Sequence, residues 1–120
     1  MHELSLAENL RELIEEQAAS EGFDKVEIVK LEVGQLSHVD ADAMLFCFDT
    51  VMKGSIAEGA RLVISRPVGL GECRNCQAQS KITHLYAPCS HCGAFGLRIL
   101  QGDQLRISSL KVRTIRTPKD

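Results

Sequence analysis

The sequence has no tryptophan, and its aromatic content is 4%, made up of one tyrosine and four phenylalanines. A stacking platform for single-stranded nucleic acid therefore has little to be built from. A formal net charge of -2 and a pI near 6.1 also argue against a dedicated nucleic-acid surface. No apolar run approaches the roughly twenty residues that cross a bilayer. No apolar signal segment opens the chain and no lipidation motif is visible, so the expectation is a soluble, cytoplasmic protein whose thiols stay reduced. A Gly-rich phosphate loop, a G-x-S-x-G nucleophile turn and an evident nucleophile–base pair are missing too, which argues against an enzyme.

What the chain does have is cysteine in a pattern. Four of its five cysteines lie between Cys73 and Cys92, as C-R-N-C, a spacer from Gln77 to Pro88, and C-S-H-C. A tetrahedral cation needs four soft donors converging on one point, and each C-x-x-C turn brings two sulfurs from one tight loop. Gly93 follows the second knuckle, where positive φ lets backbone N–H groups turn back toward thiolates. Cys73, Cys76, Cys89 and Cys92 thus read as a structural zinc site with no position left open for water or substrate. Iron is compatible with the same cage, because spacing alone does not separate it from zinc. A disulfide framework suits a secreted chain, and a thioredoxin-like redox pair needs only one C-x-x-C.

At 120 residues the chain makes one domain, or a small domain carrying a smaller metal-stapled one. Leu6, Leu10, Leu13, Ile14 and Ala18 recur at helical spacing; Ser5 and Glu8 read as a capping box and Gly22 as the stop, leaving Met1 to Leu4 as a leader. Residues 24–33 alternate as a strand, with a slip at Val29 that a bulge or two-sided burial explains. Asp40 or Asp42 caps a second helix bearing Met44, Leu45, Phe48, Val51 and Met52, with Cys47 an inert buried thiol and Gly54 the end. Residues 60–68 form a second strand, Gly69 to Gly71 a hinge, and the alternating run after Gly102-Asp103 a third strand. The expected fold is α+β: a small three-stranded sheet with two helices, and a four-cysteine zinc-ribbon module inserted before the last strand. The corresponding domains are 1–69 with 104–115, the zinc module 70–103, and a tail 116–120. The late cations Arg106, Lys111, Arg113, Arg116 and Lys119 read as a solvated strand face and tail, or as a surface for an acidic partner.

Of the four histidines, His38, His84 and His91 sit where a surface or hydrogen-bonded imidazole is ordinary, although His91 lies inside a knuckle. His2 differs by its address. It offers a metal its imidazole and its own amide nitrogen, the Met1 amine adds a third nitrogen, and Glu3 can add its amide or carboxylate. A planar nitrogen set suits Ni(II) or Cu(II) and does not suit tetrahedral zinc. The donors must shed protons, so such a site loads near neutral pH and releases as pH falls. Taken from the residues alone this is a weak signal, since a histidine at position 2 is most often only the second residue of a polar leader.

M-H-E-L-S at the N-terminus, E-V-G-Q-L-S-H-V-D from Glu32 to Asp40, F-C-F-D-T-V from Phe46 to Val51 and the two knuckles together resemble the HypA/HybF family of nickel metallochaperones for [NiFe]-hydrogenase maturation. The resemblance runs from Met1 to about Val112. It implies His2 as the principal nickel ligand, with the Met1 amine and Glu3 contributing and Asp40 nearby, and zinc on Cys73, Cys76, Cys89 and Cys92. It implies as partners a HypB-type GTPase and the [NiFe]-hydrogenase large subunit. The rival reading is a zinc-ribbon nucleic-acid-binding or transcription accessory protein using the basic last strand.

Overall fold

A computed structural model of the chain describes residues 2–114. Met1 and residues 115–120, and with them the expected tail and the cations Arg116 and Lys119, lie outside the described residues. The chain divides into two compact units. The first comprises Met1–Leu31, Val39–Val63 and Ile107–Asp120, and the second Glu32–His38 and Ile64–Arg106.

The elements run α1 (Glu3–Glu21), β1 (Lys25–Val33), α2 (Ala41–Met52), β2 (Arg61–Ser65), β3 (Gly69–Glu72), β4 (Gln79–Ile82), β5 (Arg98–Gln101) and β6 (Leu105–Arg113). They form two three-stranded sheets, ordered β2-β1-β6 and β4-β3-β5. The architecture is α+β, with two helices, small sheets and a four-cysteine ribbon, as the sequence pattern implied. Among the described residues, no helix is long and apolar enough to cross a membrane.

In the first unit, α1 begins earlier than the Ser5–Glu8 pattern predicts. Its N-cap is His2, with no side-chain cap bond, and the first helical hydrogen bond runs from the Leu6 amide to the His2 carbonyl at 3.1 Å. Ser5 is exposed and helical. An acidic Glu3 in the first turn, where the helix dipole is positive, compensates for the missing cap. Gly22 ends the helix as expected, at φ 83, its amide bonding the Ala18 carbonyl at 2.8 Å. The buried stripe is Leu6, Ala7, Leu10 and Ile14, whereas Leu13, expected inside, is 53% exposed.

Asp40 caps α2 as expected: its carboxylate accepts from the amides of Asp42 at 2.9 Å and Ala43 at 3.1 Å. Met44, Phe48 and Met52 are buried at a spacing of four, and Leu45 falls outside that stripe. Cys47 is half-buried, which corrects the expectation of an enclosed thiol. The two helices run side by side in one direction: Glu3 meets the N-cap of α2, and Arg11 meets its other end. The Arg11 guanidinium donates to the carbonyls of Val51 at 2.8 Å and Lys53 at 3.3 Å, supplying partners for acceptors that a helix end leaves unpaired. In β1 the buried positions are Val26, then Val29, Leu31 and Val33; the phase changes before Val29, where the alternation slips in the sequence.

The second unit is built on β3, with β4 and β5 antiparallel on either side. Gly69 to Gly71, expected to be a hinge, is therefore in a central strand. Its glycines serve close approach: a Cβ on Gly69 would collide with the Ile82 carbonyl and the Leu36 side chain. Leu36 belongs to this core, packed with Cys73, Ile82, Cys89 and Leu97. It is delivered by a segment whose backbone is fixed at three successive residues, Gly34 N to Gln104 O at 2.8 Å, Gln35 N to Pro67 O at 2.9 Å and Leu36 N to Gly102 O at 2.8 Å. Gly34 passes so close to Gly102 that no side chain fits between them.

Replacing Leu36 by Ala is expected to cost the second unit about 2–5 kcal/mol, the usual range for a truncated core leucine. Urea unfolding followed by thiol accessibility checks this; a loss below about 0.5 kcal/mol would mean that Leu36 is not a core residue.

Candidate metal centres

β3 runs directly into Cys73, and the two knuckles that follow have the same backbone. In the first, the Gln77 amide bonds the Cys73 carbonyl at 2.9 Å and the Cys73 amide bonds the Ala78 carbonyl at 2.9 Å. In the second, Gly93 N to Cys89 O is 2.9 Å and Cys89 N to Ala94 O is 2.8 Å. The residue after the second cysteine of each knuckle is left-handed, Gln77 at φ 61 and Gly93 at φ 77. A C-x-x-C-x-A pattern is thus repeated in sequence and in structure. Gln77 adopts positive φ despite its side chain, and nothing short of the pattern's repetition pointed to it.

The turns aim amide hydrogens at sulfur. Asn75 N and Cys76 N each lie 3.4 Å from Cys73 Sγ, while His91 N and Cys92 N lie 3.3 and 3.4 Å from Cys89 Sγ. The Asn75 side-chain amide reaches Cys92 Sγ at 3.7 Å. Cys73 and Cys89 are buried, Cys76 and Cys92 exposed. All four sulfurs lie within 4.8 Å of one another, with Cys73–Cys92 at 3.5 Å and Cys76–Cys89 at 3.7 Å. Those separations are far too long for disulfides. A cation with four bonds to sulfur of about 2.3 Å sets its ligands about 3.8 Å apart, so the cage fits a tetrahedral metal ion. His91 is exposed and is not among the converging ligands.

The protons of this cluster are unevenly held. Amide donation from Cys92 and His91 outweighs burial at Cys89 and lowers its thiol to about 6. The Ala94 amide and the Asn75 side chain lower Cys92. At Cys76 the Ala78 amide pulls down, but burial and hydrogen bonds with Cys89, Cys73 and Cys92 prevail and push it up to about 12.

The N-terminal residues are arranged differently. His2 is exposed in extended conformation at φ -74, ψ 140. Glu3 turns toward α2, its carboxylate accepting from the Asp40 amide at 3.4 Å. The Asp40 carboxylate is itself engaged in capping α2. The structure therefore brings Glu3 and Asp40 together beside His2 at the starts of the two helices, and Met1 lies outside the described residues. His38 and His84 are exposed, and among the described residues only the four cysteines form a group of three or more potential ligands. Two residues that the sequence reading missed complete the cysteine centre, Leu36 in its core and Asn75 on its sulfur.

Comparison with known proteins adds an independent line. Residues 1–112 match the family described as hydrogenase/urease nickel incorporation, metallochaperone, hypA. The chain is 45% identical to the hydrogenase maturation factor HypA of Azotobacter chroococcum, covering 93% of this chain and 99% of that one. It is 44% identical to the protein of the same name from Psychromonas ingrahamii, covering 93% and 98%. The solution structure of the Ni metallochaperone HypA from Helicobacter pylori superimposes with a TM-score of 0.73 at 30% identity, over 95% of this chain and 99% of that one.

Metal uptake by the cysteines is expected to release protons. Cys76 gives one up throughout the neutral range, and below about pH 6 Cys89 must give up another, so affinity falls more steeply as pH drops through that value. Titration of zinc into weakly buffered protein, with pH monitored, tests this; uptake without proton release would contradict it.

Proposed function

The chain belongs to the HypA family of hydrogenase/urease nickel-incorporation metallochaperones, whose members are maturation factors and not catalytic enzymes, and on that footing we propose how it handles its cargo. Ni(II) is taken up at the N-terminus, with His2 as the principal ligand through its imidazole and amide nitrogen. The Met1 amine and Glu3 complete the set, with Asp40 nearby. Zinc is held by Cys73, Cys76, Cys89 and Cys92 and supplies rigidity alone, since four thiolates leave no open position.

The observation that carries this reading is the placement of His2 as the N-cap of α1. The first amides of a helix have no intrahelical acceptor, so the nitrogens of His2 and Glu3 can be turned over to a metal without breaking a bond of the helix. The positive end of the helix dipole also favours the loss of a proton there. Exposure of His2 leaves a planar complex open along its axis, where a thiolate or imidazole of an acceptor can enter and draw the ion away by ligand exchange. The Glu3 carboxylate already has a partner, the Asp40 amide, and the Asp40 carboxylate is engaged by the amides of Asp42 and Ala43.

Nickel and zinc are kept apart by ligand chemistry, nitrogen for one and sulfur for the other. The unit bearing His2 would handle nickel and the unit bearing the cysteines would hold zinc. The setting is a reducing cytoplasm, where thiolates persist as ligands. The partners are a HypB-type GTPase and the [NiFe]-hydrogenase large subunit that receives the ion.

Nickel titration of the protein, followed by ligand-field absorption, is expected to give a planar-site band that disappears in His2→Ala and in a version with residues added ahead of Met1. Zinc content should stay the same in all three. Equal nickel uptake with and without the extension would sink the N-terminal site.

A further inference from the structure

The two knuckles share one backbone but differ in the residue before their second cysteine, Asn75 in the first and His91 in the second. The inner sulfurs are matched: Cys73 and Cys89 are both buried, and each accepts two amide hydrogens of its own turn. The outer pair is matched in exposure, and Cys76 and Cys92 each have the backbone amide two residues on, from Ala78 and Ala94, as a hydrogen-bond partner. Side chains break the symmetry. Asn75 reaches across to the other knuckle and donates from Nδ2 to Cys92 Sγ at 3.7 Å. Beside Cys76, Gln77 turns its side-chain amide away to the Arg74 carbonyl at 3.3 Å. Among the described residues, the only side chains that reach the Cys76 sulfur are those of the other cysteines, Cys89 at 3.7 Å.

In a metal-bound cage all four sulfurs are thiolates, so access and hydrogen bonding decide which of them reacts. A thiolate attacks through a lone pair, and a donor resting on that pair must first be displaced; hydrogen bonds to charged acceptors are among the stronger ones. Burial withdraws Cys73 and Cys89 from attack, and Asn75 covers Cys92. Cys76 is left both reachable and without a side-chain guard.

We infer that Cys76 is the site at which the cage is oxidised by a small peroxide, and that Asn75 is the positioning residue that directs the reaction there by shielding Cys92. The Cys76 sulfur attacks one oxygen of hydrogen peroxide: an S–O bond forms, the O–O bond breaks, and the departing hydroxide takes a proton from solvent to leave as water. Sulfur gives up two electrons and the peroxide gains them, so the product is Cys76 sulfenic acid. That product is no longer a thiolate donor, and the cage loses one of its four ligands at its outer face. The inference rests on the four-cysteine zinc reading and is independent of the N-terminal nickel site.

The test treats the full-length, zinc-loaded protein with substoichiometric hydrogen peroxide in the presence of dimedone, which caps sulfenic acids. Each cysteine is scored separately by peptide mass spectrometry, and zinc release is followed with a chromophoric chelator. Cys76 is expected to be labelled about tenfold faster than Cys92, the effect of one hydrogen bond to a charged sulfur, with zinc release keeping pace with it. In Asn75→Ala the Cys92 rate should rise about tenfold while that of Cys76 stays as it was; Asn75→Ser, too short to span the gap, serves if the alanine variant does not hold zinc. A loosened knuckle would speed both sulfurs together, so the ratio of the two rates separates shielding from damage. Equal labelling of Cys76 and Cys92 in the parent, first labelling at Cys73 or Cys89, labelling confined to Cys47, or an unchanged ratio in the Asn75 variant overturns the inference. A parent that binds no zinc is seen in its metal content and sinks the zinc reading as well, whereas a loaded parent labelled elsewhere sinks this inference alone.

Discussion

Four sulfurs 3.5–3.7 Å apart at their closest pairs set the terms for the second unit. Like-charged thiolates at that distance repel, and neutral thiols gain little from meeting, so the arrangement makes physical sense around a cation. The chain prepares for it with two matching turns, four backbone amides aimed at the inner sulfurs and a small apolar core beneath them. A ribbon of this size has too little interior to hold itself by apolar burial alone. Leu36 matters for that reason: it enlarges the core from outside the cysteine segment, along a path fixed by Gly34, Gly69 and Gly102.

The first unit solves a different problem, which is to hold the starts of two helices in place while leaving the residue ahead of α1 accessible. Arg11 closes the far end of α2, Asp40 caps its near end, and Glu3 reaches across to the Asp40 amide. His2 is left as a cap without a side-chain bond of its own. The helix thus presents backbone nitrogens that no other group of the helix requires, at the end where its dipole favours anionic character.

Much of this was legible in sequence where the determinants are local. The cysteine spacing specified the ribbon, Asp40 and Gly22 specified a helix start and a helix stop, and the β-branched run specified β1. Local rules failed where tertiary contacts decide. The Ser5–Glu8 pattern satisfied the capping rule, yet the helix begins at Glu3, whose carboxylate finds both the dipole and α2. Leu13 and Leu45 sit at the margins of their stripes, and periodicity alone does not say which margin is covered. Gly69 to Gly71 looked like punctuation because glycine usually is; here its lack of a side chain admits Leu36 and Leu97 against a strand. For the proposed N-terminal nickel site, the residue types were suggestive but only the family resemblance joined them to nickel.

The burial of Cys73 and Cys89 against the exposure of Cys76 and Cys92 gives the sulfur cage a front and a back. The two rear sulfurs each receive two backbone amides from their own turn and are shut off from solvent. A chelator or oxidant approaching from outside meets the front pair first. Release of a cation from such a cage would therefore be stepwise and directional, passing through a half-released state still gripped from behind, from which recapture competes with escape.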